Sequence, residues 1–276
     1  MSLLKRLQTL DRRVIYVVLL IFVAWPILAP FKLPLGVSRE TKAVYDYIAA
    51  LKEGDVVALS FDYAATGYSE MHPQAVAVME HLMAKPGLKI LNLAFWEQGP
   101  MFAKEILDKI DTHGKKYGED FVNLGYIPGG ETAMSAFAAD IQKAFPKDYT
   151  GKNTSDLPMM AKIKTAKDIK LLITIAAGSP GVPEFVRQVQ GPYGTKFAAG
   201  LTAISVPITM PYMNSGQMVG LMGGLRGAAE YEVLNSKPSS GVVAMDAMSA
   251  SHLVMIFFIL LGNVAYFLEK RAQSTK

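Results

Sequence analysis

Unbroken apolar runs of strand length recur through the middle of the chain, at Val56–Tyr63, Leu88–Phe95, Phe121–Ile127, Ile169–Ala177 and Lys196–Ser205. A strand with one wet face alternates apolar and polar residues, whereas a parallel strand covered on both faces does not. The five runs therefore predict a buried parallel sheet. Segments of helical spacing lie between them: His72–Ala84, Pro100–Ile110, Glu131–Phe145 and Pro183–Gln190. Ser38–Leu51 opens on a hydroxyl residue with Glu40 close behind, a helix-start pattern, and leads into the first run. This alternation predicts an α/β domain, doubly wound, with a mostly parallel sheet of about five strands.

Two further apolar runs frame that domain and predict N- and C-terminal transmembrane helices. Val14–Phe31 carries no charge and follows Lys5, Arg6, Arg12 and Arg13. It is about long enough for a ~30 Å hydrocarbon core, and no small-residue cleavage site follows it, so an anchor is favoured over a cleaved signal peptide. Ala247–Leu268 is uncharged and closed by Glu269, Lys270 and Arg271. Basic residues gather outside both runs, and the middle is close to neutral, which predicts cytoplasmic termini. The expected layout is a basic cytoplasmic N-terminus (1–13), a first transmembrane helix (14–36), an extracytoplasmic Rossmann-like domain (37–246), a second transmembrane helix (247–268) and a cytoplasmic tail (269–276). The plasma membrane of a prokaryote is the expected location.

Composition narrows the function classes. The 276 residues are 51% hydrophobic and 19% charged, with a mean hydropathy of +0.23, a net charge of +4 and no cysteine. Thiol nucleophiles, zinc knuckles and iron–sulfur ligation are excluded. The modest charge does not suggest a nucleic-acid partner. His81, His113 and His252 lack metal-ligand spacing, so no metal or cofactor is expected. Asn153-Thr154-Ser155, in a polar loop, is a glycosylation sequon that matters only in a eukaryotic secretory route.

Candidate chemistry collects where the strands end, since ligands of open parallel sheets bind outside the carboxyl ends of the strands. The first strand runs into Asp62, Glu70 and His72, a weak acid–base group, with Asp62 also free to cap a turn. The second ends at Trp96 and Glu97. Gly129 and Gly130 follow the third, and Gly178, Ser179 and Gly181 follow the fourth. Both glycine loops precede helices and offer backbone N–H groups to a small anionic ligand, although tight strand-to-helix turns also call for glycine. Neither loop matches a dinucleotide or P-loop fingerprint, and no nucleophile elbow is present.

Gly216, Gly220, Gly223, Gly224, Gly227 and Ala228 recur every three or four residues, which would line one face of a helix over Gly216–Leu234. So many glycines in one helix are costly, and close packing against another helix, between subunits or against a span, is the expected return. The competing reading lays the helix on its own sheet, with Arg226, Glu230 and Glu232 at solvent or a rim. Upstream, Val206–Met213 reads as an apolar loop that skims the membrane or is covered by a partner.

With Phe61-Asp62-Tyr63, His72-Pro73-Gln74-Ala75, Gly125–Gly130 and Gly223–Glu232, the chain resembles an uncharacterised group of prokaryotic two-span, membrane-anchored α/β (Rossmann-like) proteins. The resemblance implies the layout above and assigns no catalytic residue. The leading expectation is a non-enzymatic scaffold, homo-oligomeric or an accessory subunit of a membrane complex. A small-molecule binding or sensor domain is the first alternative, and a hydrolase or transferase the second.

Overall fold

A computed structural model describes residues 11–31 and 33–274. It divides into a compact domain, Leu35–Gly241, and a second unit made of the two terminal segments.

In the terminal unit, α1 spans Arg12–Leu28, with the Asp11 side chain accepting from the Arg13 N–H at its start. The helix ends before Pro30. Ala29, directly ahead of that proline, is extended (φ −143°, ψ 90°), as a pre-proline residue must be to clear the ring. The expected first span (14–36) is thus helical only to Leu28. Counting the final helix (Ser240–Ser274, called α8 below), one described helix is long and apolar enough to cross a membrane, over Ser240–Arg271, and its apolar window is only 11% buried. The α1 helix, 17 residues beginning on two arginines, falls short of that length. The expectation of two flanking spans is met at the C-terminal end alone.

The domain opens with α2 (Arg39–Ala49), whose first turn is capped by Ser38 accepting from the Thr41 N–H. There follow β1 (Val56–Asp62), α3 (Tyr68–Ala84), β2 (Lys89–Ala94), α4 (Gly99–Leu107), β3 (Phe121–Tyr126), α5 (Gly130–Ala139), β4 (Leu171–Ala176), β5 (Lys196–Leu201), α6 (Val206–Asn214), β6 (Gly220–Gly223) and α7 (Gly224–Leu234). A broken helical segment beginning at Val182–Phe185 joins β4 to β5. All strand pairs are parallel, in the order β3-β2-β1-β4-β5-β6. This is the Rossmann-like order, in which the crossovers diverge between β1 and β4.

Strand alternation divides the core into two layers. On one face Val57, Leu59, Phe61 and Tyr63 pack with Val44, Ile48, Phe102 and Tyr231 of α2, α4 and α7. On the other, Ala58, Leu91 and Leu172 pack with Phe137, Phe185 and Phe197. The five expected strands are present with trimmed ends. The α3 helix begins four residues before the expected His72 and carries Pro73 inside it. Val206–Met213, expected as a loop, lies in α6.

The sixth strand comes from the glycine-rich segment and overturns the single helix expected there. Gly220 and Gly223 lie in β6, paired with Ala198 and Leu201 of β5. Gly216 (φ +76°) turns the chain after α6, and Gly224 (φ +61°) starts α7. The close approaches that need glycine are made inside the domain. A Cβ on Gly220 would lie 2.7 Å from the Glu40 carbonyl of α2, and one on Gly227 would lie 2.9 Å from the Met222 backbone. Ala228 is fully buried.

Glu230 and Glu232, which the competing reading places at solvent or a rim, are also buried. Glu230 accepts from Ser38 Oγ (2.5 Å) and from Arg226 Nε (2.8 Å), which ties the start of the domain to α7. Glu232 accepts from the backbone N–H of Ser239 and Gly241, both at 2.8 Å, and so fixes the chain at the end of the domain.

Gly220→Ala is expected to force α2 from the sheet and lower stability by about 1–3 kcal/mol, with no change in oligomer mass. Thermal unfolding and native mass of the detergent-extracted chain check this. An unaltered midpoint with a changed mass would instead place Gly220 between subunits. Asn92, fully buried in β2 with neither amide atom bonded, is the opposite case. Asn92→Leu should stabilise by about 1 kcal/mol, because it removes a desolvated polar group that returns nothing.

Candidate functional site

The divergence of crossovers between β1 and β4 opens a crevice at the carboxyl ends of those strands. A recess of about 160 Å³ lies there, lined by Asp62, Tyr63, Ala64, Thr66, Trp96, Ala177, Gly178 and Ser179. Through Gly178 and Ser179 it adjoins a second cavity of about 430 Å³, walled by Ala176, Val182, Pro183, Leu201, Ile208 and Tyr212 with Ser205, Thr209 and Glu184. The smaller recess carries Asp62 and Trp96, and the larger is mostly apolar apart from Glu184 and its hydroxyl residues. Of the ligand residues expected from sequence, Asp62, Trp96, Gly178 and Ser179 come together in this crevice.

Asp62 is the last residue of β1 and is 2% exposed. One carboxylate oxygen accepts from Ser60 Oγ (2.6 Å) and Thr174 Oγ1 (2.8 Å), and the other from the Phe95 N–H (2.7 Å). Ser60 shares its strand, Thr174 belongs to β4, and Phe95 directly follows β2. Burial without a cationic partner pushes the Asp62 carboxyl up to about 6, and the three donors hold it from rising further. Trp96, half-buried, also lines the recess.

Beyond β4 the chain turns through Gly178, Ser179 and Gly181. Glu184 holds this turn, accepting from Gly181 N–H (2.9 Å) and Ser179 Oγ (3.3 Å). Gly181 does not line the crevice. It is required because a Cβ there would collide with the Gly178 carbonyl oxygen at 2.2 Å. Gly178 has open space around its own Cβ position.

The remaining sequence candidates lie elsewhere. Glu97 is exposed and lines neither cavity. Gly129 and Gly130 start α5 with positive φ (+118° and +54°), as tight turns demand. The next residue, Glu131, forms a two-bond ion pair with Arg187 (2.8 and 3.0 Å), which holds its carboxyl down at about 2. A carboxylate at that helix start opposes a second anion.

The Asp62, Glu70 and His72 group is not assembled. Asp62 lies on the strand face of Ala58 and Ser60, whereas Tyr63, which directly follows β1, packs in the core of the opposite face with Phe61, and His72 is on the Tyr63 side. Its Nδ1 lies 3.0 Å from the Tyr63 hydroxyl, its ring stacks on Tyr68, and burial pushes its pKa down. Glu70 accepts from the Ala203 N–H (2.7 Å), fixing the turn into α6.

Sequence reasoning missed Ser60, Thr174 and Gln74. Ser60 and Thr174 are polar interruptions of apolar strand runs, and Ser60 stands two residues before Asp62, on the same strand face; that spacing was the available signal. Gln74, fully buried, donates from Nε2 to the carbonyls of Leu201 (3.1 Å) and Gly224 (3.0 Å), binding α3 to the end of β5 and the start of α7.

Comparisons with protein-family models, curated proteins and solved structures give no match to this chain.

Asp62 makes a signed prediction. A carboxyl raised in the folded state favours the native protein most when protonated, so its contribution falls as pH rises from about 4 to about 6 and stays low above that. Asp62→Asn keeps an acceptor for Phe95 and offers donors to Ser60 and Thr174. It should raise stability at pH 8 by about 2–3 kcal/mol relative to its effect at pH 4, measured as unfolding midpoints at the two pH values.

Proposed function

We propose that the chain is a membrane-anchored binding protein that takes a small molecule in the crevice at the ends of β1 and β4. The observation that carries this reading is the convergence of Asp62, Trp96, Gly178 and Ser179 on one recess at the divergence of the crossovers. The lining sets the ligand chemistry. A hydrogen-bond donor such as a hydroxyl or amine suits the one remaining lone pair of Asp62, on the oxygen that accepts from Phe95, a planar or apolar face suits Trp96, and the larger cavity accepts an apolar extension.

Anchoring by α8 supports a membrane location, and the exposed apolar side chains of α1 (Leu20, Ile21, Trp25 and Leu28) support a second membrane segment. With basic residues outside both segments, the domain belongs on the extracytoplasmic side of a prokaryotic plasma membrane, with both termini cytoplasmic. Lateral assembly into a scaffold loses its motive here, because the glycines that suggested a helix interface are used within the domain.

The chain has two tryptophans, so a Trp25→Phe background leaves Trp96 as the sole indole reporter. The full-length protein in nanodiscs should respond to at least one class among amino acids, sugars, nucleosides and fatty acids, with changed Trp96 emission and a raised unfolding midpoint. Gly178→Phe, which fills open space, should abolish both responses. No response to any class at millimolar concentration, or unimpaired binding by Gly178→Phe, would overturn the assignment.

A further inference from the structure

Among the longer helices of the domain, α6 buries the fewest residues. Only Thr209 of its nine residues is buried. Its approach turn and outer face present Ala203, Ile204, Pro207, Ile208 and Pro211 to the exterior, spaced along one side of the helix. Ile204 is 87% exposed and Ile208 74%, more than any other large apolar side chain of the domain. No charged residue occurs between Lys196 and Arg226. A soluble surface seldom leaves so long a stretch uncharged while exposing aliphatic side chains together.

The place of this face in the domain says what covers it. A cavity of about 480 Å³ is lined by Ser38 and Thr41 on one side and by Ala203, Val206 and Met210 on the other. The start of the domain therefore lies beside α6. Gly36 is held there by Arg226, whose Nη2 donates to its carbonyl (3.3 Å), and Ser38 by Glu230. The chain thus enters the domain beside α6, on the Val206 and Met210 flank of the helix that bears the exposed isoleucines, a few residues after the apolar α1 segment. Residues between Leu28 and Leu35, even fully extended, reach only about 25 Å.

We propose that the Ile204–Ile208 face of α6 inserts into the lipid interface of the membrane that holds the chain. Insertion is apolar rather than electrostatic, since the face has no lysine or arginine to attract anionic headgroups. Pro211, inside the helix, cannot donate an N–H to the Pro207 carbonyl, which favours the headgroup zone over the hydrocarbon. Ile208 also walls the larger cavity of the crevice, so insertion places that wall at the lipid boundary. The proposal stands whether or not the crevice binds a ligand.

The absence of cysteine permits single-site labelling of the full-length chain. Ile204→Cys and Ile208→Cys would each carry an environment-sensitive nitrobenzoxadiazole probe, in phosphatidylcholine nanodiscs holding one copy, with and without doxyl-labelled lipid. Lys167→Cys, at the opposite edge of the sheet ahead of β4, is the control. The expected result is blue-shifted emission and doxyl quenching at 204 and 208, absent at 167 and retained in molar salt. Emission at 204 and 208 as water-exposed as at 167 would overturn the proposal, as would quenching lost in salt. Protection confined to discs with two copies would overturn it in favour of a second chain on this face.

Discussion

Asp62 sits where β1, β2 and β4 meet at the carboxyl edge of the sheet, and among the described residues no cation neutralises it. Its three donors come from its own strand, from the residue after β2 and from β4. One buried carboxylate thereby sets the relative heights of three neighbouring strands at the point where the crossovers part. Desolvation opposes its charge, and the hydrogen bonds to the charged form only partly offset this, so the carboxyl titrates near 6. An apolar residue here would avoid that cost but would leave the Phe95 N–H without its acceptor. The recess exists because the chain diverges around this tie.

A second constraint acts at the other end of the sheet, where β6, α2 and α7 approach at backbone distance. Gly220 lets α2 lie against β6, and Gly227 lets α7 fold back on Met222. The resulting proximity brings Glu230 under the Ser38 hydroxyl, where it satisfies a helix start and receives Arg226. Removing side chains from these strand and helix positions sacrifices local propensity. In exchange the entry of the chain is fixed to the last helix of the domain.

Much of this architecture was legible from periodicity. Five continuous apolar runs became five parallel strands, because burial on both faces leaves a composition that antiparallel strands lack. Ser38 was readable as a cap because its hydroxyl acts on the next turn of its own helix. Gly216–Leu234 misled because a spacing of three or four fits a helix face, while a four-residue strand followed by a glycine-started helix leaves the same spacing. The glycine cost within a helix was the contrary signal. Asp62 was visible as a polar end to an apolar run, but its separation from His72 depended on which side of the sheet α3 covers, and strand order alone settles that. Glu230 and Glu232 looked solvated because carboxylates usually are; their partners are distant in sequence.

The carboxyl edge of the domain carries two features of opposite character. The crevice holds a buried acid and an indole under a polar turn, and α6 beside it presents aliphatic side chains with almost no packing beneath them. Both follow from the same topology, since the segments after β1, β4 and β5 all emerge at that edge. Glu70 and Gln74 of α3 connect the two, the first through the Ala203 N–H and the second through the Leu201 carbonyl. A shift of α6 therefore loads hydrogen bonds made by α3, whose first turn begins at the mouth of the recess. The segment that bears the isoleucines of α6 is thus hydrogen-bonded to a helix whose start also borders the crevice.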